Sequence, residues 1–201
     1  GIYLPKKIMT NKDLEKVVET DDDWIYERTG IRERRICSTD GGEWPTDMAY
    51  HAAQMALQKA SLGPDDIDLI IFASVTPDMK LPNSSTLLQT KLGITNNCAC
   101  LDIAVACSGF VYGLNIADSM IKTGAINKAL IVGSEMLSRE VDWKDRSSCI
   151  LFGDGCGVAI VGASEEEKDA SDVLSTYLGG NGKGKEFFYT LADDKTKWRK
   201  R

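Results

Sequence analysis

Leu101-Asp-Ile-Ala-Val-Ala-Cys107-Ser-Gly-Phe110, continuing as Val111-Tyr-Gly-Leu-Asn-Ile-Ala-Asp-Ser-Met-Ile-Lys-Thr-Gly124, is the stretch around which this 201-residue chain is organised. An apolar run of strand type gives way here to apolar residues at helical spacing, so the pattern predicts a strand ending beneath a helix that Cys107 opens. A helix N-terminus carries unpaired N–H groups and partial positive charge, which favour a negatively charged sulfur and a developing oxyanion. Cys107 is therefore a candidate nucleophile. The competing reading, a buried cysteine acting as a small hydrophobe, is not decided by position alone.

The units around this stretch repeat its logic. Ile67 to Val75 and Lys128 to Gly133 are nearly continuous apolar runs, the signature of strands covered on both faces. Helical spacing runs from Thr46 to Ala60 with a stop at Gly63-Pro64, and from a cap at Asn83 or Ser84 through Leu92 to Gly93. Nearer the start, Asn11 is expected to cap a short helix to Val18, and Thr20-Asp-Asp-Asp23 a second one that Gly30 ends. Ile31 to Ile36 reads as a strand or extended arm, Ser148 to Gly162 as a glycine-interrupted pair of apolar segments, and Val173 as the start of a last strand-like piece. Strands and helices alternate, so the class is α/β with a mixed, mostly parallel sheet covered by helices.

Composition narrows the function. A net charge of −6 argues against a dedicated nucleic-acid binder, so any anion site has to be local. The apolar runs are too short to cross a bilayer and no basic-then-apolar leader opens the chain, which gives an expectation of a cytoplasmic protein with no membrane partner. Six cysteines (37, 98, 100, 107, 149, 156) contain no CxxC pair and are accompanied by the single His51, so no metal is expected and the thiols read as reduced. His51, offset by three from Met48 on the apolar side of its helix, reads as a core or edge residue. Glu165 to Lys168 reads as a solvated turn, and the basic run from Lys195 to Arg201 packs on nothing obvious.

Two further groups of residues carry candidate chemistry. Trp24 and Arg28 lie four apart on a short helix and so share a face; with another arginine, such as Arg146, they make a candidate sandwich for a planar base. The alternative is a tryptophan anchoring its helix beside a surface arginine. Gly153-Asp-Gly155-Cys-Gly157 lacks the Lys-Ser/Thr of a P-loop, and its glycines read as points of close backbone approach.

Taken together, Tyr3-Leu-Pro, Thr20-Asp-Asp-Asp-Trp-Ile, Arg28-Thr-Gly-Ile-Arg-Glu-Arg34, Asp102 to Phe110, Val132-Gly-Ser-Glu, and Asp145-Arg146 through Phe152-Gly-Asp-Gly-Cys-Gly157 resemble the β-ketoacyl-acyl-carrier-protein synthase III family, in the family's order from about residue 2 to about residue 186. The resemblance implies a thiolase-like fold, the first half of a duplicated αβαβα architecture, with residues 1–163 forming the amino-terminal half and 164–201 a connector and the incomplete start of the second. It implies that Cys107 takes an acyl group from coenzyme A, with acetyl-CoA the expected starter. Trp24 and Arg146 would stack on the adenine with Thr20 and Arg28 alongside. Leu81 would reach across a homodimer into the partner's acyl pocket, of which Leu137 would form a wall.

The implied reaction is a ping-pong decarboxylative condensation with malonyl-acyl-carrier protein, giving a 3-oxoacyl-carrier protein and starting fatty acid synthesis without a permanently bound cofactor. The family's carbanion-stabilising histidine and asparagine belong to its second half and have no counterpart here. His51 does not align with that histidine, so the chain is expected to be part of a longer one. Two alternatives stay open: a related condensing enzyme of polyketide or other secondary metabolism, and a non-catalytic partner subunit with a condensing-enzyme fold.

Overall fold

The computed structural model describes residues 1–38, 42–163 and 172–184, together with the backbone of residues 188–189 and 199–200. The chain forms two compact units: Gly1–Leu4 with Gly42–Glu135 and Gly155–Leu178, and Pro5–Gly41 with Met136–Asp154 and Gly179–Arg201. The acidic run at 165–168 and most of the basic run from 195 lie outside the described residues.

The first unit is built on a mixed five-stranded sheet. Its strands are β1 (Ile2–Tyr3), β4 (Leu69–Ala73), β5 (Ala99–Ile103), β6 (Lys128–Met136) and β7 (Asp154–Gly162), in the order β1-β7-β6-β4-β5. Between β1 and β4 in sequence come β2 (Lys7–Thr10) and β3 (Glu33–Ile36), which belong to the second unit. The apolar run at 67–75 becomes the most enclosed strand: Ile70, Ile71 and Phe72 of β4 are fully buried, each contributing about 1.5–3 kcal/mol of transfer free energy. Strand β4 lies parallel to both neighbours, with Ile71 opposite Leu101 and Ile131, so β4, β5 and β6 all finish at the same edge.

Three helices cover this sheet. Helix α3 (Pro45–Ala60) starts with proline at its first position and Asp47 accepting the Trp44 N–H at 3.1 Å, and it buries Met48, Ala49, Ala52, Ala53, Ala56 and Leu57. It ends just before the Gly63-Pro64 signal, on Ser61 at φ 55°. Helix α4 (Ser84–Leu92) is fastened by Asp102 of β5, whose carboxylate accepts the N–H groups of Ser84 and Ser85 at 2.7 and 2.9 Å; Gly93 closes it at φ 70°. Helix α5 (Gly109–Lys122) turns Gly109, Gly113 and Ala117 inward. A Cβ on Gly109 would stand 2.9 Å from the Cβ of Ala73, and one on Gly113 3.0 Å from Cγ2 of Ile131, so the small residues let α5 lie directly on β4 and β6.

In the second unit β2 and β3 pair antiparallel, Lys7 opposite Ile36 and Thr10 opposite Glu33. Three short helices accompany them: α1 (Asn11–Leu14), α2 (Asp22–Thr29) and α6 (Arg146–Cys149). Their core is Leu14, Ile25, Val141, Cys149 and Ile150, with Trp24 and Trp143 packed against it. Buried Arg34 of β3 fastens the unit by donating to the Met9 carbonyl at 3.2 Å, Asn11 Oδ1 at 2.8 Å and the Ile150 carbonyl at 3.3 Å. Burial lowers the pKa of its guanidinium.

Several expectations are corrected in detail. The cap of α1 is Thr10, whose hydroxyl accepts the Asp13 N–H at 3.3 Å, and the helix ends at Leu14, with β-branched Val17 and Val18 following in a turn that packs Val18 on the core. Strand β2 has no signal of its own in the sequence, because four residues are too few for alternation to stand out. The glycine-interrupted segment at 148–162 is the end of one turn of helix followed by the single strand β7, and residues 172–180 form no strand. Cys107 does not open α5; it sits in a separate 3-10 turn, Ala106–Ser108, immediately before it. The α/β class stands.

Gly109→Ala forces the start of α5 off Ala73 and is expected to lower unfolding stability by about 1–3 kcal/mol. Urea denaturation reads this directly, and an unchanged midpoint contradicts the contact.

Candidate active site

In the first unit the site begins where β5 ends. Val105 sits at φ −124°, ψ 22°, and Ala106 takes φ 46°, a left-handed conformation that a residue with a Cβ rarely adopts. The turn brings Cys107 out at the C-terminal edge of the parallel strands, and its thiol is exposed. The Ser108 N–H and hydroxyl both donate to the Val105 carbonyl, at 3.3 and 3.2 Å, closing the turn. Because Gly109 begins α5 directly behind it, the thiol stands beside the helix N-terminus without being part of the helix.

The other cysteines differ in kind. Cys37, Cys98, Cys149 and Cys156 are buried and Cys100 is half-buried. Burial pushes the Cys98 and Cys156 thiols up to about 12, out of the reactive range. Leu81, in the loop between β4 and α4, is 84% exposed. His51 is exposed as well, with Tyr3 stacked against it at 5.2 Å, so the expectation that it lies on the buried side of α3 is corrected. Residue 51 falls between the buried positions 48–49 and 52–53, and that single step turns it outward.

The second unit holds the aromatic and arginine group. Asp21 caps α2 by accepting the Trp24 N–H at 2.7 Å, which sets the half-buried indole at the start of the helix. The Arg28 guanidinium carbon lies 4.3 Å from the centre of the Trp24 ring, with an Arg28 N–H donating to the Trp24 carbonyl at 3.1 Å. Arg146, first residue of α6, lies 4.6 Å from the same ring and donates to the Glu19 carbonyl at 3.3 Å. The structure thus brings Trp24, Arg28 and Arg146 together, both guanidiniums exposed, while the indole also packs on the core. Thr20 precedes α2, and its Oγ1 is buried with no hydrogen-bond partner.

Leu137 is half-buried at the head of the 3-10 turn Leu137–Arg139. That turn hangs on Asp154, which in the sequence is one residue of a glycine cluster with nothing to set it apart. Its buried carboxylate accepts the Cys37 N–H at 2.7 Å, the Ser138 N–H at 2.8 Å and the Ser138 hydroxyl at 2.6 Å. Of the three glycines expected to mark close approach only Gly153 does so, since a Cβ there would stand 3.0 Å from the Cβ of Arg34 and 3.1 Å from the Arg35 carbonyl oxygen; a Cβ on Gly155 would make ordinary contact and one on Gly157 would meet nothing within 4 Å. Among the described residues no group of three His, Cys, Asp or Glu side chains is placed to hold a metal ion, and no helix is long and apolar enough to cross a membrane.

With this geometry in hand, known proteins supply a comparison. The model of the 3-oxoacyl-[acyl-carrier-protein (ACP)] synthase III family matches residues 101–182. A β-ketoacyl-[acyl-carrier-protein] synthase III of Thiobacillus denitrificans is 49% identical over 190 residues, covering 94% of this chain and 58% of that protein. The protein of that name in Caldanaerobacter subterraneus is 48% identical over 192 residues, covering 96% and 56%. The crystal structure of 3-oxoacyl-[acyl-carrier-protein] synthase III from Aquifex aeolicus superposes with a TM-score of 0.92 at 46% identity, covering 100% of this chain and 62% of that one. The chain therefore spans somewhat more than half the length of the relatives it matches.

Brief iodoacetamide treatment of the native protein near pH 8 is expected to modify Cys107 first and to leave Cys98 and Cys156 unmodified, as read by peptide mass mapping. Asp154→Ala removes the acceptor of three donors and is expected to cost about 2–4 kcal/mol of stability in urea denaturation; a loss below about 1 kcal/mol, on the order of a single exposed contact, contradicts the role given to the carboxylate.

Proposed function

Because the chain belongs to the β-ketoacyl-acyl-carrier-protein synthase III family, we propose that the protein condenses an acyl-CoA starter, acetyl-CoA first, with malonyl-acyl-carrier protein to begin fatty acid synthesis. The observation that carries this reading is the exposed Cys107 thiol on a turn between a buried parallel sheet and a helix N-terminus.

The reaction runs in two halves. The Cys107 sulfur attacks the thioester carbonyl; its bond to the acyl carbon forms, the bond to the coenzyme A sulfur breaks, and the thiol proton leaves with coenzyme A. N–H groups at the start of α5 favour the charge that develops on the carbonyl oxygen. The malonyl group then loses carbon dioxide, and the resulting carbanion attacks the acyl carbon and displaces the Cys107 thiolate, which regains a proton. One reusable nucleophile splits a difficult transfer into two substitutions.

The remaining residues take binding roles. Trp24, Arg28 and Arg146 receive the adenine and phosphates of coenzyme A, where two cations beside one indole suit a planar base on an anionic arm. Thr20, which leads into α2 and Trp24, flanks the same ligand. Leu137 lines the acyl pocket. A second copy of the chain is the proposed partner, because β5 ends the sheet with Ala99 and Leu101 exposed, and Leu81, in the loop before α4, stands out into solvent. Coenzyme A enters as part of the substrate, with no resident cofactor, and the cytoplasm is the proposed compartment. Residues 1–163 form the amino-terminal half of the catalytic fold, and 164–201 lead into the second half.

Exchange of label between acetyl-CoA and free coenzyme A, in the absence of malonyl-carrier protein, tests the first half of the reaction. The native protein is expected to catalyse it and Cys107→Ala to abolish it; exchange that survives the substitution overturns the assignment. Trp24→Ala is expected to raise KM for acetyl-CoA about ten-fold with kcat changed less than about three-fold.

A further inference from the structure

Glu135, next to last in β6, has no role in the chemistry above, yet it sits at the edge from which Cys107 emerges. Its carboxylate accepts the Val75 N–H at 2.9 Å, the Ser74 hydroxyl at 3.3 Å and the Thr76 hydroxyl as well. Residues 74–76 are where β4 becomes the loop bearing Leu81. The same short segment faces the other way too: the Ser74 N–H donates to the carbonyl of Ile103, last residue of β5, at 3.1 Å. The Thr76 N–H turns back onto the Ser74 hydroxyl at 3.1 Å, so one carboxylate organises three consecutive residues. Farther along, Asp78 accepts the Thr46 N–H at 3.0 Å, fixing the loop at a second point ahead of Leu81.

Parallel register explains why one side chain reaches so much. Ala73 lies opposite Gly133 on one side and Ile103 on the other, so β6 runs on through Glu135 past the level at which its pairing with β4, and that of β4 with β5, ends. Position 135 leads toward Leu137, 75 toward Leu81, and 105 toward Cys107. A carboxylate held among these donors is half-buried, and burial raises its pKa above the usual carboxylate range. Retaining a poorly solvated acid at this point is costly unless the arrangement it enforces is needed.

Resting on the acyl-transfer reading, we infer that Glu135 is a positioning residue that clamps residues 74–76 between the ends of β6 and β5 and thereby sets which acyl chains Cys107 accepts. Its action runs through the Leu81 loop on one side and the Cys107 turn on the other. The Glu135 side chain touches no reacting atom in this scheme.

Three variants of the native protein test it: Glu135→Ala, which removes the clamp; Glu135→Gln, which keeps an acceptor for the Val75 N–H and an amide able to engage both hydroxyls; and Thr76→Val, which deletes one hydroxyl from the same network. Hydrogen exchange of the 74–82 amides reads the clamp without any substrate. It is expected to rise about ten-fold or more in Glu135→Ala and to stay near native in Glu135→Gln. The ratio of Cys107 acylation rates for a two-carbon and a six-carbon acyl-CoA is expected to shift about ten-fold in Glu135→Ala and in the same direction in Thr76→Val, with Glu135→Gln within about three-fold of native.

A purely structural role lowers both rates together and leaves their ratio unmoved, so an unchanged ratio in both Glu135→Ala and Thr76→Val overturns the inference. Where Glu135→Ala does not fold, the ratio in Thr76→Val decides alone. Native exchange at 74–82 in Glu135→Ala overturns it irrespective of any substrate. A native protein whose Cys107 takes no acyl group from any acyl-CoA overturns the proposed function instead, and the exchange measurement still decides the clamp.

Discussion

Close contact between α5 and the sheet is the constraint on which the rest of the structure depends. With no side chain at 109 or 113, the helix start rests on Ala73 and its next turn on Ile131 and Ile71. A helix held that close leaves no slack between the end of β5 and its own first residue. The chain crosses the gap in one 3-10 turn, with Ala106 in the left-handed region and Cys107 outermost. Backbone strain of this kind, on the order of 1–3 kcal/mol, persists only where the surroundings enforce it, and the buried β4 with its two parallel neighbours provides that enforcement. The exposed thiol is thus a consequence of tight packing beneath it.

The polar groups at the strand ends extend the same constraint outward. Asp102 ties β5 to the start of α4, Glu135 ties β6 to the segment after β4, and Asp154 ties the turn bearing Leu137 to residue 37. Each carboxylate satisfies two or three donors that would otherwise be left without partners, and each holds a loop beside a candidate functional residue. In the second unit Arg34 does comparable work with carbonyl acceptors, in the same unit as the group formed by Trp24, Arg28 and Arg146.

Much of this is legible in the sequence because it is local. The apolar block at 69–73, the small residues of α3, the Asp-rich start and glycine stop of α2, and the change of period at Cys107 all declare themselves within one or two turns of chain. What stays hidden depends on distant partners. Asp154 finds Cys37 at a separation of 117 residues and Glu135 finds Val75 at 60, and no local pattern distinguishes such carboxylates from surface ones. Trp24 and Arg28 are readable as neighbours on one helix, whereas Arg146 comes from far along the chain, and no local pattern singles it out among the arginines. The start of α5 falls just past its expected place because Cys107 and Ser108 continue the helical pattern while the backbone turns.

The central claim is that Cys107 carries the acyl group between the two halves of the reaction. Brief exposure of the native protein to acetyl-CoA, followed by digestion and tandem mass spectrometry, tests this most directly. One acetyl group on the peptide containing Cys107, removed by neutral hydroxylamine as a thioester is, is the predicted result; acetyl on any other residue with Cys107 unmodified contradicts the account.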